Sequence, residues 1–408
     1  MGQLFSNTSK DEDSGDFESS FTKYFENIQT ENKIISQETI HLIELHLKRG
    51  NIQGAQSVIR DALKNIDNTP INIAVTGESG AGKSSFINAL RGVGQEEEGA
   101  AEVGVVETTK WRTPYKHPKI KTLTLWDLPG IGTVNFPPKD YLEKVKLQEY
   151  DFFIIVSATC FTKLELDLAK AIRFMKKNYY FVRTKVDIDL NNEKESKPRT
   201  FDREKILQQI RSYYVNSFHQ NNMEAPEIFL ISNSHLSDYD FPALMDTLIK
   251  DLPAEKRHNF MLFLPNITEA AIDRKRKTMQ QTIWLEAFKA LLLLNTPVME
   301  YSLRNNMNNL KASLNHYRYL FGVDDASLKA IAKDSQVPVE QLKEIIKSPY
   351  LLRNRGVLFK DVEKLALSKN EFLATGFFFG KIFYFQLLFL DTVTEDAKVL
   401  LRETYLRN

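Results

Sequence analysis

The stretch VTGESGAGKSSFINAL, residues 75–90, constrains the fold more than any other part of the chain. Two glycines enclose four residues and lead into Lys-Ser: Gly77-Glu78-Ser79-Gly80-Ala81-Gly82-Lys83-Ser84, with Ser85 next. A loop of this kind joins the end of an apolar strand to the start of a helix. Its glycines let backbone N–H groups close on phosphate oxygens, and the helix N-terminus adds partial positive charge. Lys83 is expected to reach the β- and γ-phosphates. Ser84 is expected to give its hydroxyl to Mg²⁺.

The surrounding pattern agrees with that demand. From Ile71 onward, short apolar runs alternate with helical segments: INIAVTG, TLTLWD, DFFIIVSA, YYFVRTKVD and EIFLISN. Runs that are continuous rather than alternating are strands buried on both faces. Strand–helix alternation implies a mainly parallel sheet between helices, with ligands beyond the carboxyl ends of the strands. On either side of this region the periodicity is helical. Phe21, Tyr24, Phe25 and Ile28 share a helical face, Ser36 can cap a second helix that stops at Gly50, and a third is expected over 52–66. After Pro253 the strands cease; Leu342, Ile345 and Ile346 share a face, and Thr394 is read as a helix cap. The fold class is therefore α/β plus all-α: a P-loop domain over 69–252, inserted in a helical domain formed by 21–68 and 253–408, behind a flexible arm at 1–20.

Further motifs fall at the expected strand ends. WDLPG places Asp127 to hold Mg²⁺ through water and Gly130 to offer its N–H to the γ-phosphate. In EVGVVETTKW, a hydroxyl is needed to complete the metal shell, and Thr109 is chosen ahead of Thr108. RTKVD supplies Thr184, Lys185 and Asp187. A carboxylate accepts two hydrogen bonds from the guanine edge, whereas adenine presents an acceptor there and leaves the carboxylate unmatched. Ser232 and Asn233 stand at the next strand end, where a backbone N–H can meet the guanine oxygen. The nucleotide is read as GTP. After the glycine of D-x-P-G stands Ile131, where many GTPases place a water-orienting glutamine. Intrinsic hydrolysis should be slow until another molecule supplies the missing group.

The 408 residues carry a net charge of +1, so no global basic excess points to nucleic acid. Cys160 is the only cysteine, which excludes an internal disulfide and suits the cytosol. The N-terminus lacks the basic and apolar regions of a secretory signal. It begins MGQLFS, which matches the myristoylation pattern with Gly2 as the acceptor. The segment 372–390 is nearly apolar, but Lys381 and Gln386 interrupt it. A lysine at mid-membrane costs about 2.5–3.5 kcal/mol, so a buried helix or a lipid-contacting helix is expected ahead of a true span.

With these residues assembled, the chain resembles the immunity-related, interferon-inducible GTPases of the GKS subgroup. The likeness runs through MGQLFS, KIISQE, the P-loop, WDLPGIGTVNFPP, EYDFFIIVSAT, YYFVRTKVD, YDFP, LPAEKRH and LDTVTEDAKVLL. T-K-x-D in place of the commoner N-K-x-D is within the family's pattern. The resemblance implies a Ras-like GTPase domain on a helical domain and low nucleotide affinity. It also implies dimers through the GTPase domains and GTP-dependent oligomers on the vacuoles of intracellular pathogens. Dimer contacts map to Val103, Gly104, Val105, Val106 and Glu107. Glu107 matches the family's catalytic glutamate, and Gly104 lies where a partner's ribose would touch. Lys83 places the chain with effectors restrained by regulatory GTPases that carry methionine there. The implied location is cytoplasmic and partly on endomembranes. A GTP-binding switch that recruits a partner and hydrolyses little is the alternative.

Overall fold

The apolar runs become strands, and the polar residues that follow them become the loops of the site. The structure is a computed structural model; it describes residues 10–104, 111–129, 145–159, 161–292, 306–351 and 377–404. The chain divides into two compact units, residues 70–251 and residues 1–69 with 252–408.

The first unit is built on a six-stranded sheet. Its strands are β1 (Ile71–Gly77), β2 (Thr113–Lys116), β3 (Leu123–Asp127), β4 (Phe152–Ser157), β5 (Asn178–Arg183) and β6 (Ile228–Leu230). Their order across the sheet is β2-β3-β1-β4-β5-β6. All neighbours are parallel except β2 and β3, which pair antiparallel. β1 lies between β3 and β4, so its carboxyl end is a topological switch point, the crevice where such sheets bind ligands. Ile73, Ala74, Val75, Phe153, Ile154, Ile155, Phe181 and Val182 are all buried, as continuous apolar strands require. The edge strand β2 was not foreseen. It has four residues, includes Pro114 and alternates half-buried with exposed positions, so it lacks the apolar run that announced the others.

Helices α4 (Lys83–Arg91), α5 (Lys163–Phe174), α6 (Val186–Ser196), α7 (Arg203–Gln220) and α8 (Phe241–Asp251) belong to the same unit. The TKVD and ISN motifs lie beyond their strands: β5 ends at Arg183 and β6 at Leu230.

The helical unit contains α1 (Lys10–Glu26), α2 (Gln37–Lys48), α3 (Ile52–Asn68), and further on α9 (Ala254–Phe263), α10 (Glu269–Leu291), α11 (Asn306–Leu320), α12 (Asp325–Ser335), α13 (Val339–Ile345) and α14 (Phe377–Thr404). Trp284 of α10 organises one core: Tyr24 stacks on it at 4.1 Å and Phe288 at 4.9 Å, with Phe21 tilted and Phe25 edge-on against it. Ser36 caps α2 as expected, accepting from the Thr39 N–H at 3.1 Å. Helix α1 begins at Lys10, inside the segment expected to be an arm.

Thr394 does not cap a helix. It sits within α14, and its hydroxyl donates to the Leu390 carbonyl at 2.7 Å. The buried stripe of Tyr384, Leu387, Leu390, Ala397 and Leu401 runs through that point, so burial overrides the capping signal. Ion pairs tie α14 to α10: Arg276 to Asp391, Lys398 to Asp273 and Arg402 to Glu269, each at 2.7 Å. Among the described residues no helix is long and apolar enough to cross a membrane.

Candidate functional site

The phosphate loop leaves β1 and enters α4. Gly77 has φ 137°, and a Cβ there would stand 2.0 Å from the Val156 carbonyl oxygen on β4. No side chain fits, so glycine is forced by strand contact as well as by backbone angle. Gly82 caps α4 with φ 86°, again in left-handed territory. Ala81 is buried. Lys83 is the first residue of α4 and only 7% exposed, not a residue of a solvated loop. Its ammonium donates to the Glu78 carbonyl at 2.8 Å and so lies back across the loop. Ser85 is the third residue of the helix. Ser79 and Gly80 form the exposed tip.

The two residues read as metal holders meet. The Ser84 hydroxyl donates to Asp127 Oδ2 at 2.6 Å, and Asp127 is 1% exposed at the end of β3. A hydroxyl and a carboxylate side by side are hard oxygen donors, the set Mg²⁺ selects while keeping several waters. The donor chemistry fits that ion. Gly130 and Ile131 lie outside the described residues, as do Val105, Val106, Glu107, Thr108 and Thr109. Val103 and Gly104 are described; Val103 is exposed, and so is Trp111 beyond the gap.

The base-reading residues are tied to the phosphate loop. The Thr184 N–H donates to the Ser157 carbonyl at 2.9 Å, and its hydroxyl donates to the Ala81 carbonyl at 2.7 Å. Lys185 takes φ 61° and caps α6, and its ammonium donates to the Gly80 carbonyl at 3.0 Å. That path lays its stem over the loop. Asp187 falls in the first turn of α6, half-buried, where the helix dipole favours its charge. Ser232 Oγ accepts from the N–H groups of Ser234 and His235, which turns the chain after β6. The side chain of Asn233 donates to the Gly82 carbonyl at 3.2 Å. Phosphate loop, Asp127, TKVD and ISN thus gather at the carboxyl edge of one sheet.

Beneath them lies a buried polar layer that sequence reasoning did not single out. Glu165 and Thr162 form a capping box at the start of α5: the Thr162 N–H donates to Glu165 at 3.0 Å, and the Glu165 N–H donates to the threonine hydroxyl at 3.3 Å. The spacing T-x-x-E is visible in TKLE and could have flagged it. Burial pushes the Glu165 carboxyl up to about 7, against hydrogen bonds from Thr162 and Ser157 that favour its ionised form. Tyr214 shares a hydrogen bond with Ser157 at 3.1 Å and donates to the Thr159 carbonyl at 2.6 Å. Arg183, nearly buried, pairs with Asp189 of α6 at 2.5 Å. This layer anchors the ends of β4 and β5, from which the base-reading loop departs.

The chain matches the family model described as interferon-inducible GTPase (IIGP) over residues 36–404. It is 53% identical over 414 residues to Interferon-inducible GTPase 1 of Mus musculus, covering all of both chains. It is 50% identical to Interferon-gamma-inducible GTPase 10 of Mus musculus, covering 99% of this chain and 97% of that one. Among solved structures, Aquifex aeolicus Era bound to GDP·AlF4⁻ covers 45% of this chain and 56% of its own at 20% identity and TM-score 0.31.

Proposed function

Because this chain belongs to the interferon-inducible GTPase family, we propose that it works as a self-assembling effector of interferon-induced immunity that binds and hydrolyses GTP on membranes. The observation that carries the nucleotide reading is the joining of Thr184 and Lys185 to the Ala81 and Gly80 carbonyls. The elements that read the base and the elements that hold phosphate form one hydrogen-bonded site.

Within that site the roles divide as follows. Asp187 accepts from the guanine edge, and Lys185 covers the base. The N–H groups of the loop through Gly82, with Lys83, hold the β- and γ-phosphates. Ser84, and Asp127 through water, would hold Mg²⁺, with Thr109 completing its shell when the γ-phosphate is present. When bound, the ion would supply neutralisation of the charge that develops on the phosphates. Gly130 donates to the γ-phosphate.

Assembly supplies what Ile131 cannot. In this reading a second copy docks on the segment 103–107 and its Glu107 environment completes the site. Val103 within that segment, at 42% exposure, and Trp111 beyond it, at 74%, present apolar surface, which suits contact with another copy. Myristoylated Gly2 supplies a membrane foothold. One such chain binds only marginally, on the order of 10⁴ M⁻¹. The acidic stretch 11–18 adds no attraction to anionic lipid, so linked copies on one surface gain affinity by avidity. Pathogen-containing vacuoles are the proposed target membrane, and related regulatory GTPases the proposed restraint.

The alternative, a GTP-binding switch with little hydrolysis, makes the opposite kinetic prediction. GTP turnover per molecule is expected to rise with protein concentration and level off once dimers saturate. A low rate per molecule that stays flat over a hundredfold range of concentration would favour the switch instead.

A further inference from the structure

Three consecutive carbonyls of the phosphate loop are held from outside it. Lys185 holds Gly80, Thr184 holds Ala81, and Asn233 holds Gly82, at 3.0, 2.7 and 3.2 Å. The third bond differs from the others. It does not come from TKVD but from the loop after β6, 151 positions along the chain. Position 184 carries threonine where this motif more often carries asparagine. A threonine hydroxyl has one proton, which here goes to Ala81 or, more weakly, to the Ser157 carbonyl at 3.3 Å. It has none left for Gly82.

We propose that Asn233 is a positioning residue for phosphate, supplying from the neighbouring strand end the amide that position 184 lacks. The geometry gives the mechanism. In a trans peptide the carbonyl and the following N–H point in opposite directions. Holding the Gly82 oxygen therefore fixes the direction of the Lys83 N–H, the donor at the head of α4 where the β-phosphate binds. The Gly82 carbonyl also accepts the first helical bond, from the Phe86 N–H at 2.9 Å, so the Asn233 amide sets the junction at which loop becomes helix. Asn233 packs closely enough that a Cβ on Gly82 would stand 3.3 Å from its amide nitrogen. The amide orientation is chemically fixed, because the reversed form would set two carbonyl oxygens against each other. Its own oxygen Oδ1 is buried and finds no donor among the described residues, so the bond to Gly82 is what orients the side chain.

This rests on the guanine-nucleotide reading above but assigns Asn233 to the phosphates and not to the base. The two are separable with purified full-length protein and fluorescently labelled GDP and GMP, since GMP has no β-phosphate. Asn233→Ala is expected to speed GDP dissociation about tenfold, the effect of one lost hydrogen bond to a constrained group, and to leave GMP affinity within about threefold. Thr184 Oγ1 lies 3.6 Å from where a Gly82 Cβ would stand, so the side chain at 184 borders Gly82. Thr184→Asn added to Asn233→Ala should restore GDP dissociation to within about threefold of the parent. Should circular dichroism show that the alanine protein does not fold, Asn233→Ser, whose hydroxyl sits on a shorter side chain than the amide, is expected to give the same about tenfold faster GDP dissociation with GMP affinity within about threefold. Unchanged GDP dissociation, equal weakening of GMP and GDP, or a double variant no better than Asn233→Ala would overturn the proposal. A parent protein that binds neither nucleotide would instead overturn the reading of the site, and this assignment with it.

Discussion

Lys83→Ala is expected to abolish GTP turnover while the chain stays folded. The ammonium stands at the head of α4, where it can follow charge from the β- to the γ-phosphate as the bond breaks. Removing a preorganised electrostatic group of this kind lowers rates by about 10²–10³ or more. Lys83 is nearly buried, and its bond to the Glu78 carbonyl lies within the loop itself. Alanine keeps the helix propensity at the first position of α4 and frees one loop carbonyl on the rim of the site. The sheet and the core beneath Ala74, Phe153 and Phe181 are untouched. Circular dichroism with a phosphate-release assay decides: activity within a few-fold of the parent would remove Lys83 from the chemistry.

Glu107→Ala should cut the concentration-activated rate by about 10²–10⁴-fold, the range for loss of a general base. The motive is Ile131, an apolar residue that cannot orient the attacking water, together with the family's glutamate at the position of Glu107. Dimers should survive, because Val103 and the rest of the docking segment remain. Turnover and sedimentation measured on the same samples separate the two effects. A mutant that still hydrolyses GTP quickly, and faster at higher concentration, would assign the chemistry to another group.

Much of this site could be read from the sequence because its backbone geometry admits few residues. Gly77 is forced by the Val156 carbonyl, and a strand–loop–helix with Lys-Ser at the helix head leaves little else to be. The continuous strands announced themselves by burial on both faces. What escaped notice depended on distance through the fold. The amide of Asn233 points at a carbonyl 151 positions away, so it was read as part of the base site alone. Glu165 carried a local signal in its capping box, but its burial beside Ser157 and Tyr214 is a tertiary fact. The edge strand β2 is too short and too exposed to show periodicity, and Thr394 carried a capping signal that the apolar face of α14 overruled.

The central claim is that Asp187 selects guanine at a site shared with the phosphate loop. Calorimetric titration of the parent and of Asp187→Asn with GDP and with xanthosine diphosphate tests it most directly. Asparagine offers a donor where the carboxylate only accepts, so one bond to guanine becomes a clash of donors. Guanine affinity should fall by roughly 1–3 kcal/mol, the cost of unmatched polar groups. Xanthine carries an oxygen where guanine carries its amine, and it should gain relative to guanine in the variant. The account predicts this exchange of preference. An Asp187→Asn protein that still binds GDP as tightly as the parent, with no gain for the xanthine nucleotide, would contradict it.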